Sequence, residues 1–133
     1  MIVLASKSAS RAAMLTAAGV AFESCPANID ERGVEASLID PDPADTAEAL
    51  SVAKAAAIAF ERPGSLVLGS DSLVVVEGQR FDKPTDRTNA AEHLRQFSGK
   101  TIELHSAAAL VKDHVCEWSH ASCAKLKVRE LSE

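Results

Sequence analysis

Apolar residues open the chain: Ile2 to Ala5 form a short unbroken run, and Ala12, Leu15 and Ala18 then recur at the spacing of one helical face before Gly19. This pattern predicts a buried strand over residues 2–5, followed by a helix that Gly19 stops. Residues 20–25 read as a second strand. From Pro26 to Asp45 prolines and acids crowd together with no visible period, which predicts a functional loop or a mobile arm. Periodicity returns at Ala47, Leu50, Ala53, Lys54, Ala57 and Ile58. A helix from Thr46 to Phe60 follows, with Asp45 or Thr46 as its cap and Arg62, Pro63 and Gly64 as its end.

Leu66 to Gly69 and Leu73 to Val76 are apolar, β-branched runs separated by the polar group Gly69, Ser70, Asp71 and Ser72. They read as two buried strands with an interruption between them. Glu77 to Arg80 predicts a turn, and Lys83–Pro84 cannot continue a central strand. A third helix is expected over residues 88–97, where Ala90, Ala91, Leu94 and Phe97 share one face ahead of Ser98 and Gly99. Residues 101–111 and 115–130 alternate as the arms of a hairpin around Lys112, Asp113 and His114. With no internal repeat and no low-complexity tract, strands and helices in this order predict an α/β or α+β domain built on a mixed sheet.

A chain of 133 residues can bury a core as one domain without a disulfide or metal to hold it. Aromatic residues make up 4% with no Tyr, so the core must come mainly from Ala, Val and Leu. The formal net charge of −5 argues against a sequence-independent nucleic-acid binder, and an anionic ligand would need a locally basic pocket. Cys25, Cys116 and Cys123 are odd in number and not densely spaced, which points to a reducing compartment, the cytoplasm. The first residues do not read as a signal peptide, since no basic segment precedes the apolar run and Lys7 and Arg11 interrupt it. No apolar run approaches the roughly 20 residues of a membrane-spanning helix.

Five groups of residues could carry chemistry. Ser6, Lys7, Ser8, Ser10 and Arg11 sit at a strand-to-helix junction, where free N–H groups, hydroxyls and cations suit an anion. A capped helix with exposed cations fits the same residues equally well, and the glycine-rich phosphate-loop pattern is absent. Asp71, at or near the end of a buried strand, would need a cation, a metal or a water to offset its burial, or else it is a turn residue beside Gly69. Pro84 holds Lys83 extended and so aims its ammonium. Asp30 and Glu31 could offer oxygens to Mg²⁺ or lie solvated on a loop, and Lys54 could face a ligand or extend to solvent. His114, Cys116, His120 and Cys123 are metal-binding types, but their spacing matches no standard zinc pattern. In a regular strand Cys116 and Cys123 fall on opposite faces, and hairpin residues with buried thiols account for the group better than a metal site.

In order along the chain, these pieces resemble the Maf family of nucleotide pyrophosphatases. Leu4 to Arg11 looks like its Leu-Ala-Ser-x-Ser-x-x-Arg opening, and Ile29–Asp30–Glu31 like its Asp-Glu motif. Ala53–Lys54–Ala55, Gly69–Ser70–Asp71, Lys83–Pro84 and Leu94 to Gly99 match its later motifs in register. The resemblance implies an α/β fold in which a mixed, elongated sheet with flanking helices lines a cleft between two lobes, similar to inosine triphosphatases. It implies a single domain over residues 1–133 that lacks the family's C-terminal part, because members continue beyond the segment resembling Val128 to Ser132. The implied activity is hydrolysis of a nucleoside triphosphate to the monophosphate and pyrophosphate. A non-catalytic nucleotide-binding protein linked to septum formation is the alternative.

On that resemblance Asp71 would accept the proton of the attacking water, and Ser8, Arg11, Lys54 and Lys83 would bind the triphosphate. Glu31 with Asp71 would hold Mg²⁺ or Mn²⁺, and the protein would be a homodimer; it is the charge and hydropathy above that argue against nucleic acid and membrane as partners. Ser10 and Ser72 occupy the family's substrate-selecting positions. Branches preferring dTTP and UTP tend to have Arg and Thr there, and the N7-methyl-GTP branch Trp and Gln, so two serines fit neither. Ser70 before Asp71 leans toward the methyl-GTP branch.

Overall fold

The computed structural model describes residues 1–39, 41–82 and 84–132. Its elements are β1 (Ile2–Leu4), α1 (Ala9–Ala17), β2 (Phe22–Ser24), α2 (Glu31–Ala36), α3 (Pro43–Glu61), β3 (Leu66–Val76), β4 (Gln79–Phe81), α4 (Arg87–Phe97), β5 (Thr101–Lys112) and β6 (Val115–Lys127). The strands form one mixed sheet in the order β2-β1-β3-β5-β6, with β4 also paired to β3. β1 runs parallel to β2 and β3, and the remaining pairs are antiparallel. A mixed sheet with flanking helices is the expected fold class, and its length comes from β3, β5 and β6.

Four expectations need correction. The turn expected over Glu77 to Arg80 is confined to Glu77 and Gly78, and Gln79 and Arg80 belong to β4. The polar group at residues 69–72 does not interrupt a strand: β3 is continuous, and Gly69, Ser70, Asp71 and Ser72 pair with Ala109, Ala108, Ala107 and Ser106 of β5. Asp71 is therefore a mid-strand residue and not a strand end or a turn. Pairing along the whole of β5 outweighs the local turn preference of Gly, Ser and Asp. The segment from Pro26 to Asp45 contains α2, capped by the Asp30 carboxylate on the Gly33 N–H at 3.1 Å. At six residues, α2 leaves too little sequence for a period to show. α3 begins at Pro43, earlier than Thr46, because Asp42 and Asp45 form a reciprocal capping box with Pro43 at the first helical position.

The core lies between α3 and one face of the sheet. Ala55, Ile58 and Ala59 of α3 pack on Val3, Ala5, Val67 and Val111, and Ala47 packs on Leu73 and Ala107. The crossovers β1–α1–β2 and β2–α3–β3 run in opposite directions across the sheet, so right-handed connections put α1 on the face opposite α3. α1 buries none of its residues. At the far end of α3, Arg62 forks onto Glu23 of β2 with hydrogen bonds of 3.1 and 3.0 Å. Those hydrogen bonds, and then the guanidinium charge, hold the Glu23 carboxyl below its ordinary range.

Gly69 sets how closely α3 can approach. A Cβ there would lie 2.1 Å from the Ser51 carbonyl oxygen and 2.9 Å from the Ala55 Cβ, so the helix backbone rests directly on the strand. Gly69→Ala is expected to lower stability by about 2–3 kcal/mol through overpacking. Gly19→Ala, which has open space but a φ of +75°, should cost only the left-handed strain of about 1 kcal/mol. Urea unfolding of both variants measures the difference, and equal losses would show that α3 is not seated on Gly69.

Candidate functional site

Ser51 and Ala55 of α3 flank the contact with Gly69, and Lys54 lies on the turn between them. Helical side chains lean toward the N-terminus of their helix. The Ala47–Leu73 and Ile58–Val67 contacts show that this end of α3 lies over the later half of β3, so Lys54 leans toward Asp71. Its ammonium is 3.3 Å from Asp71 Oδ1 and 3.0 Å from Glu31 Oε1, the first helical residue of α2. The Lys54 and Asp71 side chains are 17% and 14% exposed and that of Glu31 50%, so the first pair is largely shielded while the third partner stays open to solvent. Small neighbours make this room: Asp71 pairs across the sheet with Ala107, which pairs with Ala121.

β3 is bare on one side beside Asp71. β1 pairs with it only at Val67 and Leu68, and β4 only from Val74 onward. Among the described residues no strand covers that edge at residues 69–73. Leu68 turns its carbonyl toward β1, accepting from the Ala5 N–H at 2.9 Å. Strand alternation therefore turns the peptide groups of Ser70 and Ser72 to the same side. Because β1 is parallel to β3, the chain leaving Ala5 runs along this open edge, and it carries Ser6, Lys7 and Ser8 into α1.

That loop is ordered by its own serines. Ser8 Oγ accepts from the Arg11 N–H at 3.3 Å as the cap of α1, and Ser6 Oγ accepts from the Ser8 N–H at 3.0 Å and from Arg11 Nη1 at 3.4 Å. The capped helix is thus present, with Lys7 exposed beside it. Its N-terminal N–H groups and the Arg11 guanidinium form a basic corner.

The structure joins Glu31, Lys54 and Asp71 directly. Ser8 and Arg11 are joined to each other, and no hydrogen bond or ion pair links them to the Lys54 trio among the described residues. Lys83 lies outside the described residues. Ser10 is exposed on the first turn of α1, and Ser72 Oγ shares a hydrogen bond of 3.2 Å with Ser106 Oγ on the sheet face away from Asp71. Both proposed selecting serines are therefore on the α1 side and the charged trio on the α3 side, with the open edge of β3 between them. Ser6 as the acceptor for Arg11, and Gly69 as the seat of α3, were missed. The Ser-x-Ser-x-x-Arg spacing could have signalled the first, while the second needs the packing.

A family model described as Maf-like protein matches residues 1–133. The chain belongs to the Maf family. It is 41% identical to the nucleoside triphosphate pyrophosphatase of Rhodopseudomonas palustris (strain BisB5) over 99% of this chain and 65% of that protein. It is 44% identical to the 7-methyl-GTP pyrophosphatase of Mesorhizobium japonicum over 98% of this chain and 66% of that protein. The chain thus spans just under two thirds of the length of these curated relatives. The structure of a HAM1 protein from Coxiella burnetii shares the fold, with a TM-score of 0.58 at 16% identity over 95% of this chain and 71% of that one.

With one ammonium held between two carboxylates, Lys54 and Asp71 should be energetically coupled. Lys54→Met leaves two acids facing each other and is expected to cost about 1–2 kcal/mol in chemical denaturation, most of which Asp71→Asn in the same chain should recover. Additive losses in that double-mutant cycle would show that the contact contributes nothing.

Proposed function

We propose that the protein hydrolyses a nucleoside triphosphate to the monophosphate and pyrophosphate, with Asp71 accepting the proton of the attacking water. Glu31 and Asp71 would hold Mg²⁺ or Mn²⁺, and Ser8, Arg11, Lys54 and Lys83 would contact the triphosphate. The observation that carries this reading is the convergence of Glu31 Oε1 and Asp71 Oδ1 on Lys54 Nζ. Two carboxylate oxygens aimed at one positive charge are a donor set that suits a hard divalent ion. When bound, such an ion neutralises charge building up on the phosphates. Lys54, released from the acids, can turn its ammonium to a phosphate, and the capped start of α1 with Arg11 offers further donors across the open edge of β3.

For the base we favour a modified purine, such as that of 7-methyl-GTP. Relatives bearing that name match at 42% to 44% identity, and Ser70 precedes Asp71 as in the branch the resemblance describes. The short side chains of Ser10 and Ser72 leave space on the α1 side for a bulky base. No helix among the described residues is long and apolar enough to cross a membrane. We further propose a cytoplasmic homodimer that binds no nucleic acid. Three free cysteines support the compartment, and the outer strand β6, with Val115, Trp118 and Leu126 exposed, offers a surface for a second copy.

The test is a screen of ordinary and modified triphosphates with Mg²⁺ or Mn²⁺, made on this chain and on a version extended beyond Glu133. Pyrophosphate release that needs the metal and falls by roughly 10²–10⁴ in Asp71→Asn is the expected result. Unchanged turnover in Asp71→Asn would remove it from the proton-accepting role, and tight triphosphate binding without turnover in the extended protein would favour a regulatory one.

A further inference from the structure

The metal-binding residue types picked out near the C-terminus do not gather as a group. His120 faces away from α3 and stacks on Trp118 with ring centroids 6.1 Å apart. Cys116 sits at the other end of β6, its thiol 3.6 Å from the Trp118 carbonyl oxygen. A register shift between Leu110 and Val111 makes Cys116 the partner of Val111, so Cys116 and Cys123 share a face, contrary to the expectation for a regular strand. Cys123 lies directly opposite His105 of β5, with Glu103 on the same face.

We propose that Glu103, His105 and Cys123 form a binding site for a zinc-class divalent cation, separate from the Glu31 and Asp71 pair. His105 Nε2 lies 2.9 Å from Glu103 Oε1 and 3.8 Å from Cys123 Sγ, and the three ligand atoms all fall within 4.8 Å of one another. Ligands bound tetrahedrally at about 2.0–2.3 Å are separated by roughly 3.3–3.7 Å, so the trio needs adjustments of only about 1 Å to close on an ion.

The donor set selects the ion. A thiolate, an imidazole and a carboxylate suit zinc or cobalt, whereas magnesium prefers oxygen alone. The rigid part of the site is His105, whose side chain is 12% exposed and whose Nδ1 is buried with no partner among the described residues, so Nε2 is the nitrogen it offers. Glu103 is more open and Cys123 exposed, which gives an ion a route in and leaves a fourth position for water. Cys123 binds as the thiolate, and its proton leaves to solvent as the metal–sulfur bond forms. His105 pairs with Leu73, two residues beyond Asp71 on the same strand face, so this site and the proposed phosphate site are neighbours without sharing a ligand.

Titration of the metal-free 133-residue chain with Co²⁺ tests the proposal. One equivalent should produce the near-ultraviolet absorption of a cobalt thiolate, displaced by Zn²⁺ and not by Mg²⁺. Cys123→Ser should abolish it, Glu103→Gln and His105→Gln should each weaken cobalt binding by at least roughly tenfold, and Glu31→Gln should leave it intact. Absence of the thiolate band at stoichiometric cobalt would overturn the site and leave a hydrogen-bonded trio. So would a band that persists in Cys123→Ser, which would put the metal on Cys25 or Cys116. Circular dichroism of each variant separates a lost ligand from a lost fold, and the two glutamine variants carry the test if Cys123→Ser unfolds.

Discussion

The missing side chain at Gly69 lets the backbone of α3 rest on β3, and the meeting of Lys54 with Asp71 follows from this contact. A Cβ at that position would lie 2.1 Å from the Ser51 carbonyl oxygen, so any other residue would lift the helix. At the observed spacing, one turn of α3 delivers the Lys54 ammonium to an acid in the middle of the next strand. The small cross-strand neighbours Ala107, Ala109 and Ala121 extend the same flat floor under the helix. A protein poor in aromatics thus uses short side chains to bring helix and sheet close together, and charged groups occupy the margin of that contact.

The second constraint is the incomplete edge of β3. β1 ends and β4 begins on either side of Asp71, so a strand with a full ladder on its β5 side leaves peptide groups open on the other. The basic start of α1 borders one face of this opening and the Glu31–Lys54–Asp71 trio the other. A polyphosphate laid across the edge would meet cations and N–H donors from both faces, which is the physical sense of the proposed function. The negative net charge of the chain is no obstacle, since it is the local field at the opening that an anion meets.

Much of this was legible in the sequence. The strand at the N-terminus, the helix of Ala47, Leu50 and Ile58, and the last hairpin follow from periodicity, and the ordered motifs locate Glu31, Lys54 and Asp71 before any contact is known. The turn-forming residues at 69–72 misled, because cross-strand pairing with Ala107 to Ala109 is not a local property. α2 was hidden by its brevity. The Glu103–His105–Cys123 trio was hidden for another reason: Cys123 was grouped with neighbours in sequence, while its partners lie across a ladder whose register only the folded sheet fixes.

The most direct measurement is a crystal structure with Mn²⁺ and a non-hydrolysable triphosphate, with the metal located by its anomalous signal. Manganese bound between Glu31 and Asp71, with the Lys54 ammonium turned from the acids to a phosphate oxygen, is the predicted result. Manganese and triphosphate bound elsewhere, with Lys54 still held between the two carboxylates, would contradict the account.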